Sequence, residues 1–200
     1  MKKLPLALGT SVLSLTLVLT GCSDASAPTD GATTSSEAPS STATEADEMF
    51  VTMMIPHHEQ AVEMSDIVLA KDDLDPQVAE LAQQIKDAQG PEIERMLGWL
   101  EDWGVEYDPD ADSGMDHGSM GESMDGMMSE EDIAALEEAD ATTAGRLFLE
   151  QMIMHHEGAV DMAETALEDA QNPDVLELAQ QVIDDQTAEI TTMKDLLTQI

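Results

Sequence analysis

The sequence predicts an all-α fold, a four-helix bundle built from two repeated helical hairpins, and three observations predict it. The first is an internal repeat. Met53-Met54-Ile55-Pro56-His57-His58-Glu59-Gln60-Ala61-Val62-Glu63-Met64 returns as Gln151-Met152-Ile153-Met154-His155-His156-Glu157-Gly158-Ala159-Val160-Asp161-Met162, and Phe50 to Met64 matches Phe148 to Met162 at a constant offset of 98 residues. The second is spacing. Phe50, Met54, His57, Ala61, Met64 and Val68 recur in steps of four and three, as do Phe148, Met152, His155, Ala159, Met162 and Ala166, so each set forms one stripe along a helix. The third is that no segment shows a convincing strand pattern.

Taken in order, the chain begins with a targeting segment. Lys2 and Lys3 precede an apolar run ending in Leu19-Thr20-Gly21-Cys22, the grammar of a signal peptide over 1–21. The run is short for a membrane span. A cysteine directly after Leu-Thr-Gly resembles the bacterial lipobox, which makes Cys22 the expected site of lipidation. Residues 22–45 are rich in Ser, Thr, Ala, Pro and acidic side chains, have little to bury, and are expected to form a disordered tether. The folded domain is expected over 46–200, with a Met/His-rich loop at 105–128.

Within that domain the first helix is expected from 46 to 71. Asp75-Pro76 then supplies an N-cap followed by proline at the first helical position, and Asn172-Pro173 repeats the signal. The second helix runs to Trp103, where Gly104 stops it, with a kink expected at Gly90-Pro91. Ser129 and Asp132 form a capping-box pattern opening a third helix, which is expected to continue to 170. The fourth covers 173 to 199. The second helices repeat as well: 75–85 echoes 172–182 at an offset of 97. Two similar hairpins, each with one broad apolar face, bury those faces best against each other, which gives a pseudo-two-fold bundle. The segment 104–128 is long enough to cross it.

Composition narrows the function. Seven Lys and Arg stand against 43 Asp and Glu, a net charge of -36. Such a chain repels nucleic acid and anionic lipid and attracts cations. Fifteen methionines beside two Phe, one Tyr and two Trp suit either a pliable core or a supply of thioether ligands. Placement decides. Four of the five histidines lie in the two repeats, flanked by methionine. His57 and His155 fall on the stripe that a helix buries, with His58 and His156 about 100° away on its flank. Imidazole with thioether suits copper, the reduced ion above all, which marks Met54, His57, His58, Met64, Met152, His155, His156 and Met162 as candidate ligands. The competing account is of core histidines hydrogen-bonded to glutamates such as Glu59. A second candidate set is Met115, His117, Met120, Met124, Met127 and Met128, in a Gly/Asp-rich loop that has no core to build.

Two other assignments fail. The ferritin-type di-iron site needs Glu-x-x-His, and no histidine here has an acidic residue three positions earlier. Asp108-x-Asp110-x-Asp112 opens like a calcium loop, but Ser113 replaces the required glycine and Ser119 the final glutamate. No nucleophile–base pair, phosphate loop or basic patch is present.

The doubled Met-x-x-His-His-Glu-x-Ala-Val-x-Met hairpin, behind a lipobox and a polar tether, resembles the domain of unknown function 305 family over 49–200. The resemblance implies a ferritin-like four-helix fold, an extracytoplasmic location and, for some members, copper binding. Pro56 in one copy is Met154 in the other, so the two sites need not be equivalent. The expectation is a non-enzymatic, membrane-anchored extracytoplasmic protein that binds copper, Cu(I) favoured over Cu(II), for sequestration or transfer. It would meet the membrane only through its lipid, bind no nucleic acid, and hand metal to an unidentified copper-handling protein. The alternatives are a structural or protein-interaction bundle without metal and, less favoured, a metal-dependent redox enzyme.

Overall fold

The structure, a computed structural model, describes residues 43–108 and 126–200. The signal segment, Cys22, most of the tether and Met115, His117, Met120 and Met124 lie outside them. The described residues form five α-helices and no strand: α1 (Glu45–Leu69), α2 (Pro76–Trp103), α3 (Glu130–Glu138), α4 (Ala141–Asp169) and α5 (Pro173–Leu197).

Local chemistry accounts for each boundary. Thr44 and Asp47 form a reciprocal capping box at the start of α1. Glu45, Asp47 and Glu48 there complement the helix dipole. Asp75 and Asn172 cap α2 and α5 ahead of a first-position proline. Gly104 ends α2 in the left-handed conformation, φ 74°. Pro56 and Pro91 lie inside continuous helices. The carbonyls that they leave unpaired belong to Thr52 and Asp87, both at exposed positions where water can bond them.

The expected third helix is two. Ser129 and Asp132 make the capping box that opens α3, but Ala139 is extended (φ -66°, ψ 147°) and Asp140 starts a new helix, accepting from the Thr143 N–H at 3.0 Å. Asp140 offers its own backbone an N-cap that competes with helix continuation. Lys71 Nζ holds the break by donating to the Glu137 and Ala139 carbonyls.

Helix α1 packs on α2 and α4 on α5, and the two hairpins meet through α1 and α4, with α3 laid on that pair. The pair is antiparallel. Asp47 at the start of α1 accepts from the Gln171 and Asn172 N–H groups, just beyond the end of α4, at 3.0 and 2.9 Å. The apolar interior is divided into two clusters. One gathers Ala61, Met64, Val68, Leu81, Ile85, Phe148, Met152 and Met193, closed by Leu136 of α3. The other gathers Phe50, Met54, Met96, Leu100, Ala159, Ala163 and Leu178.

All five basic side chains in the described residues act as ties. Lys86 pairs with Asp66, Arg95 with Glu92, Arg146 with Glu150 and Lys194 with Glu157, while Lys71 holds the carbonyls above. The strongest single polar tie is Asp47. Burial alone would raise its pKa, but hydrogen bonds from Asn172, Thr44 and Gln171 hold it below the usual carboxylate value. Replacing Asp47 by Ala strands buried N–H groups at two helix junctions, so the urea midpoint should fall by the equivalent of about 2–3 kcal/mol. The lowered pKa means that this contribution is present above pH 3.8 and is lost as acid protonates the carboxylate. Wild-type and Asp47→Ala denaturation curves should therefore converge at the acid end.

Candidate metal centre

Between the two apolar clusters lies a polar layer to which each long helix contributes one turn. His57 and His58 come from α1, Gln89 and Glu92 from α2, His155 and His156 from α4, and Gln186 and Glu189 from α5. All four histidines are fully buried, including His58 and His156, which the helical stripe placed only at its flank. The α1–α4 crossing brings the His57 and His155 rings to a centroid separation of 3.7 Å, tilted by 39°.

The outer and inner histidines differ in their partners. His58 Nε2 lies 3.0 Å from Glu92 Oε2, and His156 Nε2 lies 2.7 Å from Glu189 Oε2. A carboxylate accepts only, so each Nε2 is the donor of its pair. The Nδ1 atoms of His58 and His156 are buried without a hydrogen-bond partner, as are both ring nitrogens of His57 and both of His155. Gln89 Nε2 and Oε1 and Gln186 Oε1 are likewise unpaired.

Burial acts strongly on the inner pair. It is the largest cause pushing His57 down to about 3, with His58 and His156 adding to it. His155 is also held well below its usual value, first by burial, then by His57, His156 and His58. The nearby His57 backbone pulls the other way without meeting hydrogen-bonding geometry. Both imidazoles are therefore neutral at physiological pH, the form a metal requires.

The donor set fits a soft ion better than a hard one. Six ring nitrogens are buried without a hydrogen-bond partner, and the fully buried thioethers of Met54 and Met152 lie one turn before His57 and His155. Among the described residues, no three His, Cys, Asp or Glu side chains are grouped so as to hold a metal ion. The layer holds instead a pair of neutral imidazoles flanked by thioethers, donor types that soft ions prefer.

The other sequence candidates are placed as follows. Met64 is fully buried in the cluster closed by α3, and Met162 is half-buried at the opposite end of the α1–α4 pair. Met127 is half-buried. Met128 packs on the core, its N–H and carbonyl both bonded to the Gln60 side-chain amide at 2.7 and 2.9 Å. Gly126, at φ 94°, lies so close to α4 that an added Cβ would fall 2.8 Å from the Met154 carbonyl oxygen. Glu59 is not the histidines' partner: it is exposed, and it accepts a long bond from Tyr107. Four residues of the layer escaped the sequence reading. Gln89 and Glu92 recur as Gln186 and Glu189 at the same offset of 97 that relates 75–85 to 172–182, followed by Met96 and Met193.

The family described as domain of unknown function (DUF305) matches residues 47–197. No curated protein matches. Among solved structures, a DUF305 fragment from Deinococcus radiodurans is 32% identical, covering 79% of this chain and 99% of that one, with a TM-score of 0.69. A DUF305 protein from Streptomyces coelicolor, described as secreted, is 34% identical, covering 77% and 93%, with a TM-score of 0.70. CopM in its Cu(I)-bound form is 30% identical, covering 76% and 96%, with a TM-score of 0.61. CopM has also been solved in Cu(II)-bound and Ag-bound forms.

The inner histidines give the metal-free chain a defined acid response. Above about pH 6.5 the imidazoles are neutral in both the folded and unfolded states and add no pH dependence. As pH falls from there toward 3, the unfolded chain takes up protons that the folded chain refuses, so stability drops. Each such histidine can contribute a slope of up to about 1.4 kcal/mol per pH unit. Urea unfolding at intervals between about pH 7 and about pH 4 should show this loss, and His57→Leu/His155→Leu should flatten it.

Proposed function

We propose, from the premise that the chain belongs to the DUF305 family, that it is an extracytoplasmic copper-binding protein which sequesters the metal or hands it on. We take the four long helices as a ferritin-like bundle with the histidine layer as its binding centre. The observation that carries this reading is the set of unpaired, fully buried ring nitrogens on His57 and His155. An unpaired buried polar group costs on the order of 1–3 kcal/mol, and each inner imidazole carries such groups. A soft metal ion would satisfy them. CopM, 30% identical and solved with Cu(I), supports copper as that ion.

His57 and His155 are the ligands of first choice, with Nδ1 of His58 and His156 and the thioethers of Met54 and Met152 close by in sequence and burial. Glu92 and Glu189 would orient the outer imidazoles, as carboxylates commonly do behind metal-bound histidine. The protein is taken as a binder rather than an enzyme, because its donors are enclosed on all sides and leave little room for a substrate. A second reading has its own support: the His58–Glu92 and His156–Glu189 bonds would also serve a structural bundle with no metal.

The two readings separate in solution. Wild-type protein should retain Cu(I) through desalting, and the added metal should raise its Tm, since a ligand that binds only the folded state stabilises it by about 4 kcal/mol at a thousandfold excess over Kd. His57→Leu/His155→Leu should fold, lose the tightest copper and lose the Tm response. Equal copper retention in wild type and variant would leave the structural reading standing.

The location belongs to the same proposal. No helix among the described residues is long and apolar enough to cross a membrane, and Cys22 would supply the anchor through its lipid. Cys22→Ser should move the protein from the membrane fraction to the soluble fraction or block its processing, as read by fractionation and immunoblot. Unchanged membrane retention would rule the anchor out.

A further inference from the structure

The two ends of the α1–α4 interface are related by the internal repeat but are not finished alike. At one end α3 covers the pair: Leu136 is fully buried there, Gln151 Nε2 donates to the Asp132 carbonyl at 3.2 Å, and Lys71 donates to the carbonyls that close α3. At the other end is a cleft of about 310 Å³ lined by Met49, Phe50, Met53 and Met162, with Asp161 and Asp169 also on its wall.

The repeat supplies an internal control. At an offset of 98, Met49 corresponds to Leu147, Met53 to Gln151 and Asp169 to Lys71, while Met162 corresponds to the fully buried Met64. The covered end thus has a hydrocarbon, an amide and a cation where the open end has two thioethers and a carboxylate. Burial does not account for Met49, which is 48% exposed. Met53 and Met162 keep part of their surface within reach of solvent, although Met162 also packs on an apolar cluster. Thioethers left within reach of solvent beside carboxylates are suited to capturing a soft cation.

We propose that Met49, Met53 and Met162 form a second metal site, open to solvent, for a soft monovalent ion: Cu(I), with Ag(I) as its stand-in. Met49 and Met53 are one turn apart on the same face of α1, and Met162 reaches the cleft from α4. Three neutral sulfurs disfavour calcium and magnesium, which take oxygen ligands. Asp161 and Asp169 offset the ion's charge from nearby. Met49 and Met53 are eight and four residues before His57, about 12 and 6 Å along the helix axis, so the cleft lies beyond the histidine layer and adjoins it through Met53. The site rests on the soft-metal reading above and extends it.

The test uses the full-length chain with carbon-13 methionine methyl groups, each resonance assigned by a single Met→Leu substitution, titrated with silver nitrate. The Met49, Met53 and Met162 methyls should shift together and saturate at one silver ratio. The triple variant M49L/M53L/M162L keeps side-chain volume, so it should fold and should bind less silver by about one equivalent. Shifts confined to other methionines such as Met54 and Met152, or full silver stoichiometry in the triple variant, would overturn this site and leave the histidine centre in place. A chain in which no methionine methyl moves, and which retains no copper through desalting, would overturn both.

Discussion

One constraint governs this molecule: a belt of histidine, glutamine and glutamate runs across the middle of an otherwise apolar bundle. Burying such groups without partners works against folding, and the four long helices bring theirs to the same level, where glutamates answer only His58 and His156. Gln89 and Gln186 are buried at the height of the imidazoles, and Glu92 and Glu189 reach in from α2 and α5. The belt splits the core into its two clusters, with Met54 and Met96 on one side and Met152 and Met193 on the other. It also sets register. Sliding α1 by one turn against α4 would drive His57 into methionine and alanine, and sliding it against α2 would break the His58–Glu92 pair, a use of buried polar groups for specificity rather than for stability.

Much of this was legible in the residues. The repeat located the hairpins, Asp75-Pro76 and Asn172-Pro173 located two helix starts, and Gly104 located a helix end, because caps act through neighbours in sequence. The fold class followed from the 4-3-4 stripes, whose members are nearly all buried; Met162 alone stays half-buried. The break at Ala139-Asp140 was missed. Asp140 reads as an ordinary exposed residue of a long helix until Lys71, 68 positions before Ala139, is seen holding the carbonyls on its N-terminal side. The partners of His58 and His156 were missed for a related reason. Glu59 was the near choice in sequence, but a residue next to a histidine on a helix points away from it, and the carboxylates come from α2 and α5. The repeat contained that answer in Gln89, Glu92, Gln186 and Glu189.

The pseudo-symmetry is therefore strict at the centre and relaxed at the ends. His57 faces His155 as near equals, whereas Pro56 sits half-buried in one copy and Met154 is 51% exposed in the other. Among the described residues α3 has no counterpart at the opposite end, where Met49 and Met53 line the cleft. A duplicated scaffold has kept its shared interior and allowed its two rims to diverge.

The scarcity of positive charge has a consequence of its own. Every lysine and arginine in the described residues is already engaged, each within reach of a carboxylate or a backbone carbonyl, so most of the acidic surface has no built-in counterion. In dilute buffer such a chain is a compact polyelectrolyte under its own repulsion. Dissolved electrolyte shortens the range of that repulsion to about 8 Å at physiological ionic strength, and with it the strain on the fold. The surface pairs weaken over the same range, but they are few beside the uncompensated carboxylates. In this respect the surrounding medium completes the structure: the bundle becomes more robust as its surroundings become saltier.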